Sequence, residues 1–296
     1  MNYCFGVDIG GTTVKIGLFE ETGTIVEKWE IPTNTLADGE AILPDIAFSL
    51  KTKIEERKLS EEDILGIGVG VPAPVTAEGI VNGSANLGWK YKEVKKEMEE
   101  LTGLKAYIGN DANVAALGEM WKGGGAGEKN MIMVTLGTGV GGGVIIDGKM
   151  LVGNNGAGGE IGHICVNYEE NDRCGCGNKG CLEQYASATG IVRLAEQKLK
   201  TEKRETILNK AAITAKDVFD AVKAGDEVAD EIAAEFGKYL GYGLANLAAV
   251  VNPAVFVIGG GVSKAGEVLI PYIEKPYKER AFFADKNVRF LLAQLG

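Results

Sequence analysis

Residues 4–19 read CFGVDIGGTTVKIGLF: an apolar run over 4–10, a turn rich in glycine and threonine, and a second apolar run over 13–19. Val, Ile and Phe dominate both runs and the connection is short, which predicts two strands of a hairpin. A Glu-Thr-Gly turn then leads into TIVEKWEI (24–31), a third strand. The pattern restarts far downstream. MIMVTLG (131–137), a glycine turn and VGGGVII (140–146) form a second hairpin, and Asp147-Gly148 leads into KMLVG (149–153). Asp-Gly between β-rich runs is a strong hairpin signal.

Each triplet of strands is followed by alternating helices and strands. After the first, Ile42, Ile46, Leu50 and Ile54 recur by four and predict a helix over 38–57. ILGIGVGVP (64–72) reads as a buried strand, 90–102 as a charged amphipathic helix, LKAYIGN (104–110) as a strand and ANVAALGEMW (112–121) as a helix. After the second triplet and a long insertion, Val228, Ile232, Phe236, Leu240 and Leu244 form one stripe of a helix over 226–251. AVFVIGGG (254–261), a further helix and VRFLLAQ (288–294) complete the copy. The expectation is a duplicated α/β fold, βββαβαβα, with an N-terminal lobe over 1–121 and a C-terminal lobe over 122–296. Open sheets bind ligands at loops beyond strand ends, so the glycine turns should converge on an interlobe cleft. The second copy reaches Gly296 without a counterpart to the 112–121 helix. The natural chain is therefore expected to continue into one.

Composition narrows the function classes. Apolar residues make up 45% of the 296 and charged residues 24%, enough for a sizeable core. A net charge of −10 argues against a broad nucleic-acid surface, which needs clustered cations. No apolar run approaches the length of a membrane span, and the first residues lack a signal-peptide pattern. A cytoplasmic protein is expected, with no membrane and no nucleic acid as partner.

The motifs carry the chemistry. Asp8-Ile9-Gly10-Gly11-Thr12-Thr13 sits in the first hairpin turn, where glycines let backbone N–H groups approach a phosphate. Asp8 at the strand end is placed to hold Mg²⁺ through water. An ordinary hairpin turn would look the same in isolation. Its counterpart is Gly137-Thr138-Gly139, within a Gly-x-Gly-x-x-Gly match. The dinucleotide fingerprint needs a helix after its glycines, and here a strand follows, which excludes that reading. Two glycine hairpins, one per lobe, suit the two sides of a triphosphate. Gly259-Gly260-Gly261 ends a buried strand and can admit an adenine or ribose, though alone it is a weak motif.

Gly109-Asn110-Asp111 lies where a strand runs into a helix. Asp111 is either that helix's N-cap or a carboxylate that accepts a hydroxyl proton during attack on a γ-phosphate. The most specific signal is Glu160-Ile161-Gly162-His163 followed by Cys174-Gly175-Cys176-Gly177-Asn178-Lys179-Gly180-Cys181. His163 is the only histidine in the sequence. One imidazole and three thiolates are the right count and softness for a structural, tetrahedral zinc. Cys165, two residues from His163, is a rival ligand, and the tight triplet is preferred. Such an ion would fix Glu160 and Glu183 on either side of it, two carboxylates able to accept hydrogen bonds from sugar hydroxyls.

Together these motifs resemble the ROK family, which groups bacterial sugar kinases with related repressors on the fold of hexokinase and actin. The likeness spans nearly the whole chain and is strongest to the glucokinase branch. It implies ATP-dependent phosphorylation of glucose, with Asp111 as base and Asn86, Asn110, Glu160, His163 and Glu183 holding the sugar. It implies that His163 serves sugar and zinc through opposite ring nitrogens. It also implies that ATP, with Mg²⁺, is bound by the turns at 10–13, 137–139 and 259–261, with Asp8 and Lys15 beside the first. A homodimer or homotetramer is expected on the same ground. The alternatives are a kinase for fructose, mannose or an N-acetylhexosamine, and a sugar-sensing regulator. The regulators carry a DNA-binding segment ahead of the first glycine turn, and Asp8 leaves no room for one here.

Overall fold

In the computed structural model, which describes residues 2–209 and 211–295, β1 (Tyr3–Ile9) and β2 (Thr13–Glu20) pair antiparallel with Ile9 opposite Val14. Gly10 N donates to Thr13 O at 3.0 Å and closes the turn. A Cβ on Gly10 would lie 2.8 Å from that same carbonyl, so the close approach requires glycine. Phe5, Val7 and Ile9 of β1 and Val14, Ile16 and Leu18 of β2 are buried, the period-2 face of a sheet. β3 (Ile25–Pro32) pairs with β2 and forms the sheet edge.

The helix expected from residue 38 is split. Leu36–Gly39 forms a single kinked turn, α1, with Ala37 and Asp38 at positive φ, and α2 (Ile42–Arg57) starts afresh. The break has a cause at Gly39, which sits at φ +70° with no room for a side chain: a Cβ would meet the Leu87 carbonyl at 2.3 Å. Ile42, Ile46 and Leu50 of α2 face the core. β4 (Ile64–Val71) runs parallel to β1. The next helix, α3 (Val94–Thr102), begins later than its charge pattern suggests, because Lys92 is still held in a β-bridge with Val81. β5 (Ala106–Asn110) and α4 (Asp111–Lys122) follow.

The same wiring is repeated. β6 (Met131–Leu136), β7 (Val140–Ile146) and β8 (Lys149–Met150) form the second meander. The long insertion contains three helices that the sequence reading left unassigned: α5 (Glu183–Ala186), α6 (Ala188–Leu199) and α7 (Ala215–Lys223). Then come α8 (Glu227–Val251), β9 (Val255–Gly259), α9 (Ile270–Arg280) and β10 (Arg289–Leu292). The whole predicted stripe of α8, from Val228 to Leu244, is buried.

The strand orders prove the duplication. One sheet runs β3-β2-β1-β4-β5 and the other β10-β9-β6-β7-β8, the same order read from the opposite edge. In both, the first two pairings are antiparallel and the last two parallel. The central strand β6 is covered on both faces. Ile132, Val134 and Leu136 join the larger core with α8, while Met131 and Met133 pack with Ala116 of α4.

The chain divides into two compact units, Met1–Val114 with Val152–Gly158, and Ala115–Leu151 with Gly159–Gly296. The boundary thus falls inside α4. No helix of the described residues is long and apolar enough to cross a membrane.

Candidate functional site

In the first unit the predicted residues gather at the carboxyl ends of β1, β4 and β5. Asp8 pairs in register with Gly70 of β4 and, on its other side, with Lys15 of β2. A Cβ on Gly70 would lie 3.8 Å from Asp8 Oδ1 and 3.7 Å from Asp111 Cα, so this glycine marks where the two aspartates converge. Gly11, in the glycine turn, packs on Asn86: a Cβ there would meet the Asn86 carbonyl at 3.4 Å. Thr33 anchors the turn from β3's side, its hydroxyl donating to Gly10 O at 2.7 Å and its N–H to Thr12 O at 2.9 Å.

The two readings of Asp111 separate here. The cap of α4 is Asn110, whose Oδ1 accepts from Asn113 N at 3.2 Å, while its amide donates to Ala73 O at 3.3 Å. Asp111 Oδ1 accepts from the neighbouring Ala112 N–H, at 2.8 Å. Its carboxylate reaches solvent, yet the surrounding protein removes much of its hydration. That desolvation raises its pKa above the ordinary aspartate value. The Ala112 N–H opposes the rise, and the charge of Asp8 adds to it. A solvent-reaching carboxylate with raised basicity is suited to accepting a proton.

In the second unit, Glu160 and His163 bracket a single 3₁₀ turn, Ile161–His163, with Glu160 O accepting from His163 N at 3.2 Å. Glu183 opens α5. Its Oε2 accepts from Val140 N at 3.0 Å, on the second glycine turn, and its Oε1 lies 3.5 Å from Cys174 Sγ. The turn itself is pinned to the start of α6, where Ala188 N donates to Gly137 O at 2.8 Å and Thr189 Oγ1 to Thr138 O at 2.8 Å. Gly260 presses against the end of β6, where a Cβ would lie 2.6 Å from Leu136 backbone atoms. The turns at 137–139 and 259–261 are therefore adjacent.

Beside Gly261 opens a cavity of about 310 Å³, walled by Ala188, Ala215, Phe219, Val262 and Ala265. Lys216, Lys223 and Lys264 also line it. An apolar slot with cations fits a nucleoside phosphate. The α7 contributions were missed in the sequence. Their signal was present: Thr214 and Asp217 form a capping box, with Asp217 N donating to Thr214 Oγ1 and Thr214 N to Asp217 Oδ2.

His163, Cys174, Cys176 and Cys181 each present a ligand atom within 4.8 Å of all the others. A tetrahedral zinc with Zn–S distances near 2.3 Å sets its sulfurs roughly 3.8 Å apart. Cys176 and Cys181 Sγ are 3.6 Å apart, and Cys174 Sγ and His163 Nδ1 3.8 Å. The donor set and spacing fit zinc. Cys165 is outside this group and instead faces Cys181 across a β-bridge. Burial and the neighbouring thiols push the Cys181 thiol up to about 12, and a bound cation would favour its thiolate form. His163 turns Nδ1 to the cysteines, which leaves Nε2 on the other side of the ring.

The ROK family model matches residues 4–296. A glucokinase of Halalkalibacterium halodurans is 46% identical over 299 aligned residues, 98% of this chain and 90% of the relative. Among solved structures, a ROK family glucokinase from Streptomyces griseus in complex with glucose and AMPPNP superimposes with a TM-score of 0.79 at 33% identity, covering all of this chain and 95% of that one. A ROK family transcriptional regulator aligns with a TM-score of 0.88 at 25% identity, over 99% of this chain and 74% of the regulator.

Proposed function

The chain belongs to the ROK family, and from that premise we propose that it is an ATP-dependent hexose kinase that transfers the γ-phosphate of ATP to the 6-hydroxyl of glucose. Asp111 accepts the proton of the 6-hydroxyl as its oxygen attacks the γ-phosphorus. The single observation that carries this role is the division of labour at the start of α4, where Asn110 caps the helix and leaves the Asp111 carboxylate available. A hydroxyl is a weak acid, so the proton need leave only as the bond to phosphorus forms.

Asn86, Asn110, Glu160, His163 and Glu183 hold the sugar hydroxyls. His163 does so through Nε2, its Nδ1 being committed to the cysteines. The glycine turns at 10–13 and 137–139 present backbone N–H groups to the phosphates, Lys15 adds a cation beside the first, and 259–261 with the adjoining cavity takes the nucleoside. Asp8 would hold the Mg²⁺ that accompanies ATP. Zinc on His163, Cys174, Cys176 and Cys181 would supply rigidity, with four protein ligands and no open position. A bound Cys174 is a thiolate with no proton to share, so Glu183 Oε1 becomes free for a hydroxyl. Thiolate ligation of this kind suits the reducing cytoplasm.

The test is a coupled assay with ATP and a panel of glucose, mannose, fructose and N-acetylglucosamine. Glucose is expected to give the highest kcat/KM, with glucose 6-phosphate as product. A faster reaction with another member would change the substrate, and no turnover of any would overturn the kinase.

A further inference from the structure

The zinc ligands hold the metal loop only at its two ends, His163 and Cys174–Cys181. The stretch between them is fastened by something else. Glu170, whose side chain is 9% exposed, uses both carboxylate oxygens. Oε1 accepts from the N–H groups of Asn171 and Asp172, at 2.8 and 2.9 Å, and folds the loop on itself. Oε2 accepts from Arg193 Nη2 at 2.6 Å and from the Tyr185 hydroxyl at 2.5 Å. Arg193, on α6, also donates to Asp172 Oδ2 at 3.0 Å and lies over the Tyr185 ring, 5.5 Å from its centroid. Tyr185 receives Asn167 Nδ2 at 2.9 Å and stacks on Tyr239 of α8 at 3.9 Å between centroids.

The other partners of this network are the neighbours of Glu183. Gln184 Nε2 donates to Asp172 O at 3.0 Å, and its Oε1 accepts from Cys181 N at 3.1 Å. Arg193 Nη1 reaches the Gln184 carbonyl at 3.5 Å. Residues 184 and 185 are thus stitched to the loop, and Glu183, one position before them, projects to the Val140 N–H. Loop and helix start are locked as one piece, with Glu183 at its edge.

We propose that Arg193, with Glu170, is a positioning residue for the sugar site: it fixes the metal loop against α5, and so sets where Glu183 and His163 meet the sugar. This rests on the function proposed above. Burial raises the Glu170 pKa, but the Tyr185 hydroxyl, the Asp172 N–H and Arg193 outweigh it and hold the group at about 2. The carboxylate is therefore charged at every working pH, and the clamp does not open by protonation. A guanidinium that spans two carboxylates and a carbonyl while lying over a ring is not reproduced by lysine.

The experiment compares wild type, Arg193→Ala, Arg193→Lys and Glu170→Gln as zinc-loaded proteins. Steady-state kinetics with both substrates are combined with amide hydrogen exchange over 164–183. Arg193→Ala is expected to raise the KM for glucose on the order of tenfold, with the KM for ATP within about twofold, as for residues that orient ligands from behind. Exchange over 165–173 should quicken while zinc stays at wild-type content. Arg193→Lys should recover little of this. A residue that merely stabilised the fold would lower the active fraction, and with it kcat, at unchanged KM for glucose. That result, or unchanged exchange, overturns the proposal. If Arg193→Ala does not fold, Glu170→Gln, which keeps the shape and removes the charge, decides by the same two measurements. A wild type that phosphorylates no hexose would sink the kinase function, and the exchange arm would still decide the clamp.

Discussion

Glu183 Oε2 accepts a hydrogen bond from the backbone N–H of Val140 at 3.0 Å, and a Cβ on the preceding Gly139 would lie 2.1 Å from that same oxygen. The glycine turn and the carboxylate are fitted to each other with no room for a methyl group. Gly139→Ala should therefore displace Glu183. The displaced atom ends a movable side chain, so the stability cost should stay below about 1 kcal/mol. Function should suffer more, since misplacement of about 1 Å at a reacting centre can cost ~10²-fold. The check is kcat/KM beside a thermal melt. Equal losses in both would mean that the turn is structural only.

Asp111→Asn separates catalysis from stability. Loss of a general base is expected to lower kcat by ~10²–10⁴. Stability should move the other way. Desolvation, helped by Asp8, raises the folded pKa of Asp111 above its unfolded value. Such a carboxylate favours folding in its protonated form, and stability is lost as pH rises from the unfolded pKa through the folded one. At neutral pH the charged Asp111 is a burden that asparagine removes. The variant should melt no lower than wild type at pH 7, and its advantage should vanish at pH 3. A lower melting point at pH 7 would contradict the electrostatic account. The same raised pKa should place the acid limb of kcat/KM above the range of an ordinary aspartate.

Removing the metal should act on the sugar before the nucleotide. One zinc per chain should co-purify, held by His163, Cys174, Cys176 and Cys181. Cys176 is the exposed ligand, so Cys176→Ser should weaken the metal with the least damage to the core. A rise in the KM for glucose on the order of tenfold, with less change for ATP, is expected. Elemental analysis without zinc, or an unchanged KM in the variant, would rule this out.

The parts of the site that were legible are those in which the chemistry lies in neighbouring residues. The hairpin turns, the cysteine triplet with His163, and Asn110-Asp111 each occupy a short stretch, and each is found where its local pattern puts it. The duplication was legible because each half opens on two β-rich runs joined by a short glycine turn. The insertion was not. The four residues of α5 are too few for a helical period, whereas α6 (Ile191, Leu194, Ala195) and α7 (Ala215, Val218, Phe219) carry helical apolar spacings that were passed over. The Glu170–Arg193 clamp joins residues 23 apart through an ion pair, which no local pattern announces. Asn110, read as a sugar ligand by resemblance, also caps α4, a role the sequence left open for its neighbour as one of two.

A last prediction concerns a carboxylate that the chemistry does not use. Glu119 of α4 is 2% exposed and collects backbone donors from the turn just after its helix and from residues 294–295. Gly124 N donates to Oε2 at 2.7 Å, Leu295 N to Oε1 at 2.8 Å, and Gln294 N to both oxygens at 3.0 and 3.1 Å. The run Gly123-Gly124-Gly125 gives the close approach this needs: a Cβ on Gly123 would lie 2.0 Å from Oε2, and one on Gly124 2.6 Å from Leu292 O. Here the glycines serve packing. In Glu119→Ala three N–H groups lose a charged acceptor, and a hydrogen bond to a charged group contributes about 1.5–3 kcal/mol. Local relaxation and water will offset part of that. A net loss on the order of 3 kcal/mol is expected, lowering the melting midpoint by roughly 5–10 °C. Glu119→Gln should rescue it only partly, because one of its two heads is itself a donor and faces N–H groups. Both variants should keep the wild-type KM for glucose and ATP in their folded fraction. A melt within 1 °C of wild type for Glu119→Ala would show that these backbone donors find other partners as good.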